Sequence, residues 1–490
     1  MTPSQDPALF LDRRRAGVLL HPTSLPGIGG NGTLGPGAYQ FVNWLASAGF
    51  SVWQMLPLGP THSGGSPYQC FSAHAGNAAL ISSEKLVEQG WLRSEDVEAL
   101  SPRAALETAF ANWRAGRGAQ PIAEYQRFLS ENSYWLWDYA LYAALRVQQN
   151  FACWVDWPVA LRDRETQALD DVRHTLADAI SLVEFEQFVF FSQWHELKNY
   201  ANSKGVALFG DMPIFVAYDS ADVWAQRSFF LLDQLGRTTV VAGVPPDYFS
   251  TTGQRWGNPL YDWPKLAADG FKWWLERFHT QLKLFDLIRI DHFRGFEAYW
   301  AIDAGCPTAV DGHWVKAPGE EFFSAIAKSL GKLPLVAEDL GVITPEVEAL
   351  RANYGLPGMK ILQFAFDGGP TNPYLPHHHN ENSVAYTGTH DNDTTCGWYE
   401  GLNNDAKSYV RAYLNETASP MPWPLINACL MSVARLAILP MQDALSLGSQ
   451  HRMNTPGTTQ GNWQWRFVWE QVAPELAGRM RRVIEMYGRL

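Results

Sequence analysis

Eight short runs of β-branched and large apolar residues recur along the chain, at 17–21, 51–56, 206–210, 287–291, 335–338, 360–364, 384–387 and 436–440. Stretches with helical spacing lie between several of them, and repeated β-then-α order is the signature of a parallel sheet. After the fifth run, Thr344-Pro345 supplies a cap followed by proline at the first helical position, and Gly355 ends the segment. Before the third run, Leu182, Phe185 and Val189 recur at helical spacing in a stretch that stops at Gly205. Near-continuous apolar strands suit a sheet buried on both faces. No glycine-rich phosphate fingerprint follows the first run, which argues against an open doubly wound sheet. The expected fold is therefore α/β, a closed (β/α)8 TIM barrel.

Two gaps, 61–180 and 212–285, are too long for simple crossovers. Structureless loops of that size are unusual in a compact protein, so both are expected to be folded insertions over the C-terminal rim. No internal repeat or low-complexity linker divides the chain, and a single catalytic barrel spanning 1–490 is expected.

Three carboxylates stand where apolar runs give out: Asp291 after Leu287-Ile288-Arg289-Ile290, Glu338 after Leu335-Val336-Ala337, and Asp391 after Val384-Ala385-Tyr386-Thr387-Gly388-Thr389-His390. Desolvating an unpaired acid is costly, but the C-terminal rim of a parallel barrel is where catalysis is built. Three acids on one rim suggest sugar chemistry, with one nucleophile, one proton donor and one charge stabiliser. Arg289 shares a strand face with Asp291, so a guanidinium there is expected to lower the acid's pKa and hold it ionised. The same spacing fits a structural ion pair closing the barrel, and spacing alone leans slightly that way. Glu338 is expected to be poorly solvated, hence protonated and suited to general acid work, while Asp339 reads as a helix-capping acid.

Thr389-His390-Asp391-Asn392-Asp393 has metal-ligand chemistry, but adjacent residues of an extended strand face opposite ways. A sugar-binding pair fits better, with acceptors from Asp391 and an N–H donor from His390. His377, His378 and His379 lie beside Pro373 and Pro376 and read as a solvated turn. No metal and no cofactor are expected. The segment 243–259 mixes glycine and proline with Tyr248, Phe249 and Trp256, flat faces suited to stacking on sugar C–H surfaces or to packing down on the barrel. Ser66-Pro67-Tyr68-Gln69 with Asn77 reads as either a turn or a substrate ledge.

Hydrophobic residues make up 46% and charged residues 18%, which fits a large buried core. A net charge of -12 offers no basic footprint for nucleic acid or anionic lipid, so a neutral partner is the easier fit. The five cysteines, Cys70, Cys153, Cys306, Cys396 and Cys429, are scattered without zinc or redox spacing, and their odd number argues against a disulfide framework. Arg13-Arg14-Arg15 is followed by no signal-like apolar stretch, and no run approaches the roughly 20 apolar residues of a membrane span. A soluble cytoplasmic protein is expected, and the sequence sets no oligomeric state.

Taken in order, several motifs resemble the amylomaltases, the disproportionating enzymes of glycoside hydrolase family 77. They are Gly17-Val18-Leu19-Leu20-His21-Pro22-Thr23-Ser24-Leu25-Pro26, Ser66-Pro67-Tyr68-Gln69, the 243–259 segment, Arg289-Ile290-Asp291-His292-Phe293-Arg294-Gly295, Ala337-Glu338-Asp339-Leu340-Gly341, Thr389-His390-Asp391-Asn392, Arg452-Met453-Asn454-Thr455-Pro456-Gly457 and Asn462-Trp463. The resemblance covers almost the whole chain and reverses the lean toward a structural reading of Asp291. It implies an α-retaining 4-α-glucanotransferase on a (β/α)8 barrel, acting on maltooligosaccharides and other α-1,4-glucans. By the same resemblance Asp291 matches the nucleophile, Glu338 the acid/base and Asp391 the transition-state stabiliser. Tyr68, Asp211, Asp247, Tyr248, Phe249, Gln254, Trp256, Arg289 and His390 match substrate-contacting or supporting positions. An α-1,4-glucan hydrolase of the α-amylase class remains the rival reading. A silent glycan-binding scaffold would predict loss of at least one of the three acids, and none is lost.

Overall fold

The computed structural model describes residues 11–246, 250–415 and 418–490. Its strands are β1 (Arg15–Leu19), β2 (Val52–Gln54), β3 (Ala207–Pro213), β4 (Val240–Val244), β5 (Gln254–Pro259), β6 (Leu287–Asp291), β7 (Ala298–Asp303), β8 (Gly312–Lys316), β9 (Leu335–Ala337), β10 (Gly358–Ile361), β11 (Ser383–Tyr386) and β12 (Leu436–Pro440). Eight of them form one all-parallel sheet in the order β10-β11-β12-β1-β2-β3-β6-β9. These are the eight runs expected from sequence, with ends shifted by a few residues. The edge strands β9 and β10 meet through Ala337 N donating to Pro357 O at 2.9 Å and Met359 N donating to Asp339 Oδ1 at 2.7 Å, which nearly closes the barrel. Asp339 is thus a clasp between strands, also ion-paired to Arg351 at 3.2 Å, and not the helix cap expected of it.

Residues on both faces of the strands are buried, as expected where helices cover the outside and side chains fill the inside. The helix Pro36–Ala48 shows how the cover forms: proline sits in its first turn, Gly49 ends it at φ 84°, and Phe41, Val42, Leu45 and Ala48 make its buried stripe. Ala177–Ser203 leads into β3, Lys272–Leu284 into β6, Gly319–Leu330 into β9 and Pro345–Asn353 into β10. The crossover from β10 to β11 departs from this rule. It carries only two 3-10 turns, Leu362–Phe364 and Pro376–His378, so the expected sixth strand stops early at Ile361. The histidine run lies here. His377 and His378 are exposed, whereas His379 is buried, with Nδ1 2.6 Å from Ser432 Oγ and Nε2 2.9 Å from Tyr374 O. It braces the crossover, so the run is only partly the solvated turn expected.

The segment 61–180 is largely helical. From 240 to 316 the chain builds a second, antiparallel sheet in the order β5-β4-β7-β8. β4 and β5 precede β6 in the chain and β7 and β8 follow it, so this sheet is built from segments on either side of the strand that carries Asp291. The β4–β5 hairpin replaces part of what the sequence presented as one long loop. Among the described residues no helix is long and apolar enough to cross a membrane.

Candidate active site

Strand register brings the site together. Asp211 on β3 lies opposite Arg289 on β6, and the period of two puts Asp291 on the face of Arg289. The guanidinium therefore forks, donating Nη1–H to Asp211 Oδ2 at 2.6 Å and Nη2–H to Asp291 Oδ1 at 2.7 Å. Asp211 lies within β3, two positions short of its end at Pro213, although the apolar run 206–210 stops before it. Gly210 before it leaves room for Phe285, whose ring a Cβ there would meet at 2.2 Å.

Tyr68 Oη donates to Asp211 Oδ2 at 2.7 Å and lies 2.9 Å from His390 Nε2. The single phenolic proton is committed to the carboxylate, so the hydrogen bond to His390 needs a proton on Nε2, with Tyr68 Oη as acceptor. Burial pushes the His390 pKa down against the pull of Asp391, so the ring is neutral. His390 Nε2 also approaches Asp391 Oδ1 at 3.4 Å. These two residues lie beyond the end of β11, in a loop rather than a strand, so their side chains converge where strand alternation would have separated them. Among the described residues, no three His, Cys, Asp or Glu side chains are grouped to hold a metal ion.

Glu338 follows β9 directly and is 8% exposed. Its Oε2 accepts from His292 N at 2.6 Å and its Oε1 from Leu340 N at 2.9 Å. The first bond ties it to the peptide after Asp291, so two acids from neighbouring strands are held side by side. His292 adopts the left-handed conformation at φ 53°, which swings the chain out of β6 into Phe293–Phe296. Its ring meets Trp256 of β5 edge-on, with centroids 4.8 Å apart. Trp256 Nε1 donates to Gln254 Oε1 at 3.1 Å, so the small sheet delivers both residues to the rim.

Burial raises the carboxyl pKa of Glu338, as expected. It also raises that of Asp291, to about 8, helped by the charges of Asp211, Glu338 and Asp391 and opposed by Arg289. The expectation that Arg289 would leave Asp291 with a lowered pKa is thus corrected: its guanidinium offsets only part of the cost of crowding buried acids. Asp291 holds the direct ion pair and Glu338 has none among the described residues; the two N–H groups that Glu338 accepts from offset only part of the upward push of burial on its pKa.

Asp291, Glu338, Asp391, Tyr68, Asp211, Arg289, His390, Trp256 and Gln254 are therefore linked in one network; Asp247, Tyr248 and Phe249 lie outside the described residues. Asn454 is an addition. Its Nδ2 donates to Asp391 Oδ1 at 2.6 Å while Arg452 donates to Asp391 O at 3.0 Å. The Arg452–Gly457 motif was visible in the sequence, but its contact with a residue over sixty positions away was not. Trp463 stands over Tyr68 and His390, with ring centroids 6.0 Å from each.

Known proteins resemble this chain over nearly its whole length. A family model described as 4-alpha-glucanotransferase matches residues 20–470. A 4-alpha-glucanotransferase of Thermus thermophilus is 50% identical over 496 residues, covering 97% of this chain and 99% of its own. A chloroplastic/amyloplastic 4-alpha-glucanotransferase of Solanum tuberosum is 44% identical over 510 residues, covering 100% of this chain and 88% of its own. The amylomaltase from Streptococcus agalactiae, solved in complex with acarbose, superimposes with a TM-score of 0.94 at 38% identity, over 97% of this chain and 100% of that one.

Proposed function

The chain belongs to the 4-alpha-glucanotransferase family, and from that premise we propose how its residues divide the work of moving an α-1,4-glucan segment from one sugar to another. Glu338 protonates the glycosidic oxygen while Asp291 attacks the anomeric carbon, and the donor's reducing-end fragment leaves with a free 4-hydroxyl. Asp391 stabilises the positive charge that develops on the ring, and a β-glucosyl ester on Asp291 results. Glu338, now ionised, takes the proton of an incoming 4-hydroxyl, whose oxygen displaces Asp291 and restores an α-linkage. One α-1,4 bond replaces another, so the exchange is close to neutral in free energy.

The observation that carries this division is the unequal treatment of two neighbouring acids. Asp291 has the guanidinium of Arg289 at 2.7 Å, while Glu338 is held by two backbone N–H groups and has no ion pair among the described residues. The first arrangement favours a carboxylate nucleophile, and the second leaves a buried acid able to shed and regain a proton. Arg289, Asp211, Tyr68 and His390 hold the nucleophile and the reacting sugar in register. Trp256 and Gln254 stand at the rim, where they favour a sugar acceptor over water, and Asp247, Tyr248 and Phe249 are assigned to substrate contact on the family resemblance alone. A single catalytic barrel over 1–490, with insertions at 61–180 and 212–285, is part of this reading. So is a cytoplasmic location, supported by five free cysteines that suit a reducing compartment.

Incubation with pure maltotriose tests the activity. Transfer yields glucose together with a ladder of products longer than the substrate. A steady rise in reducing ends with no product longer than maltotriose would establish a hydrolase instead.

A further inference from the structure

Asp391 and His390 sit on a loop that leaves the barrel after Tyr386 and rejoins regular structure at the helix Thr395–Gly401. The loop is organised internally by Asn392, whose Oδ1 accepts from Thr389 N at 2.8 Å and Thr389 Oγ1 at 2.9 Å. Those bonds give it a shape but do not fix it to the barrel. Arg452 and Asn454 hold Asp391 and Tyr68 holds His390 at the loop's middle, while its two ends are attached by a buried acid on the short helix Met441–Ala444 that follows the neighbouring strand β12. Asp443 Oδ2 accepts from Thr387 Oγ1 at 2.6 Å and from Thr395 Oγ1 at 2.7 Å, and Asp443 Oδ1 accepts from Thr395 N at 2.7 Å. Both ends of the loop are thereby drawn to one carboxylate.

Asp443 is 1% exposed, and burial raises its pKa against the pull of the three hydrogen bonds it accepts. In this arrangement both threonine hydroxyls and the Thr395 N–H donate to Asp443, so each threonine proton is aimed at it. Gln363 supports the loop from the other side, donating Nε2–H to Asp393 O at 2.8 Å. Asp443 itself takes no place in the network of Tyr68, Asp211, Arg289 and Asp291.

We infer that Asp443 is a positioning residue for the transfer reaction: by clamping Thr387 and Thr395 it sets where Asp391 and His390 meet the reacting sugar. This rests on the roles proposed above for those two residues. Displacement of a stabilising carboxylate by about 1 Å is enough to cost on the order of 100-fold in rate.

The test uses two variants of the full chain, Asp443→Asn and the near-isosteric Thr387→Val, assayed for glucose release from maltotriose beside the parent protein. Each variant is expected to lose at least about tenfold in kcat with KM changed by less than about threefold. The double variant is expected to lose little more than Asp443→Asn alone, because both changes break the same clamp. A merely structural role would lower the melting temperature and leave kcat of the folded protein unchanged. Folded Thr387→Val and Asp443→Asn with kcat within twofold of the parent would overturn the inference, and Thr387→Val decides alone if Asp443→Asn does not fold. Parent protein without transfer activity would refute the functional reading, and this inference would fall with it; an active parent with active variants refutes the clamp alone.

Discussion

Replacing Arg289 by lysine isolates the fork that joins Asp211 to Asp291. The guanidinium makes two charge-assisted bonds, at 2.6 Å and 2.7 Å, whereas one ammonium on a shorter reach cannot hold both acids in that geometry. The Asp211 side chain is 1% exposed against 28% for Asp291, so the ammonium is expected to stay with Asp211, which has less access to water. Asp291 then loses a bond worth about 1.5–3 kcal/mol. At about 1.4 kcal/mol per decade, kcat/KM for maltotriose should fall by roughly 10–150-fold. The pH profile gives the sign. Arg289 opposes the upward push on the Asp291 pKa, so weakening it moves that pKa further up. Asp291 must be ionised to attack, so the acidic limb of kcat/KM shifts to higher pH, and the deficit is largest at low pH and shrinks as pH rises. The assay is initial-rate glucose release across pH, with a melting curve to show that the variant is folded. Activity within twofold of the parent and an unmoved acidic limb would refute the claim that Arg289 controls Asp291.

Two further predictions concern stability. Arg489 is fully buried and donates to the carbonyls of Leu430, Arg15, Arg435, Ser432 and Ala434; Arg14 still donates to Leu430 and Ser432 and Arg15 N to Arg435, so Arg489→Met should destabilise by about 1–3 kcal/mol, measured by urea unfolding, with kcat unchanged in the folded protein. Asp222 is buried, which raises its pKa from 3.8 to about 6; the folded state therefore binds its proton more tightly than the unfolded chain, and stability falls as pH rises from about 4 to about 6. Asp222→Asn keeps an acceptor for Ala73 N and removes that penalty, so it should stabilise by up to about 3 kcal/mol at pH 8 and by little at pH 4, checked by melts at both pH values.

The barrel was legible because each of its strands is buried on both faces, which writes an apolar run even where the strand is only three residues long, as at Val52–Gln54 and Leu335–Ala337. The antiparallel sheet was not. Its outer strands, Gln254–Pro259 and Gly312–Lys316, are partly exposed and polar, and leave neither an apolar run nor a clean alternation. Asp291 and Glu338 were readable as acids at strand ends, and Arg289 by its spacing from Asp291. The contacts of Tyr68 with Asp211 and His390, of Asn454 with Asp391, and of Asp443 with Thr387 join residues far apart in the chain. Only the closed barrel brings them together. The pKa of Asp291 was misjudged for a related reason: spacing showed one favourable cation but not how many acids stand close to it.

Trapping the glycosyl-enzyme tests the division of roles most directly. In Glu338→Gln the first step loses its acid, but α-glucosyl fluoride carries a leaving group that needs little protonation, while the second step still lacks its base. Intact-mass measurement should show a glucosyl increment on the folded variant, and peptide mapping should place it on Asp291. An adduct on any other residue, or robust turnover by Asp291→Asn with deamidation excluded, would contradict the assignment.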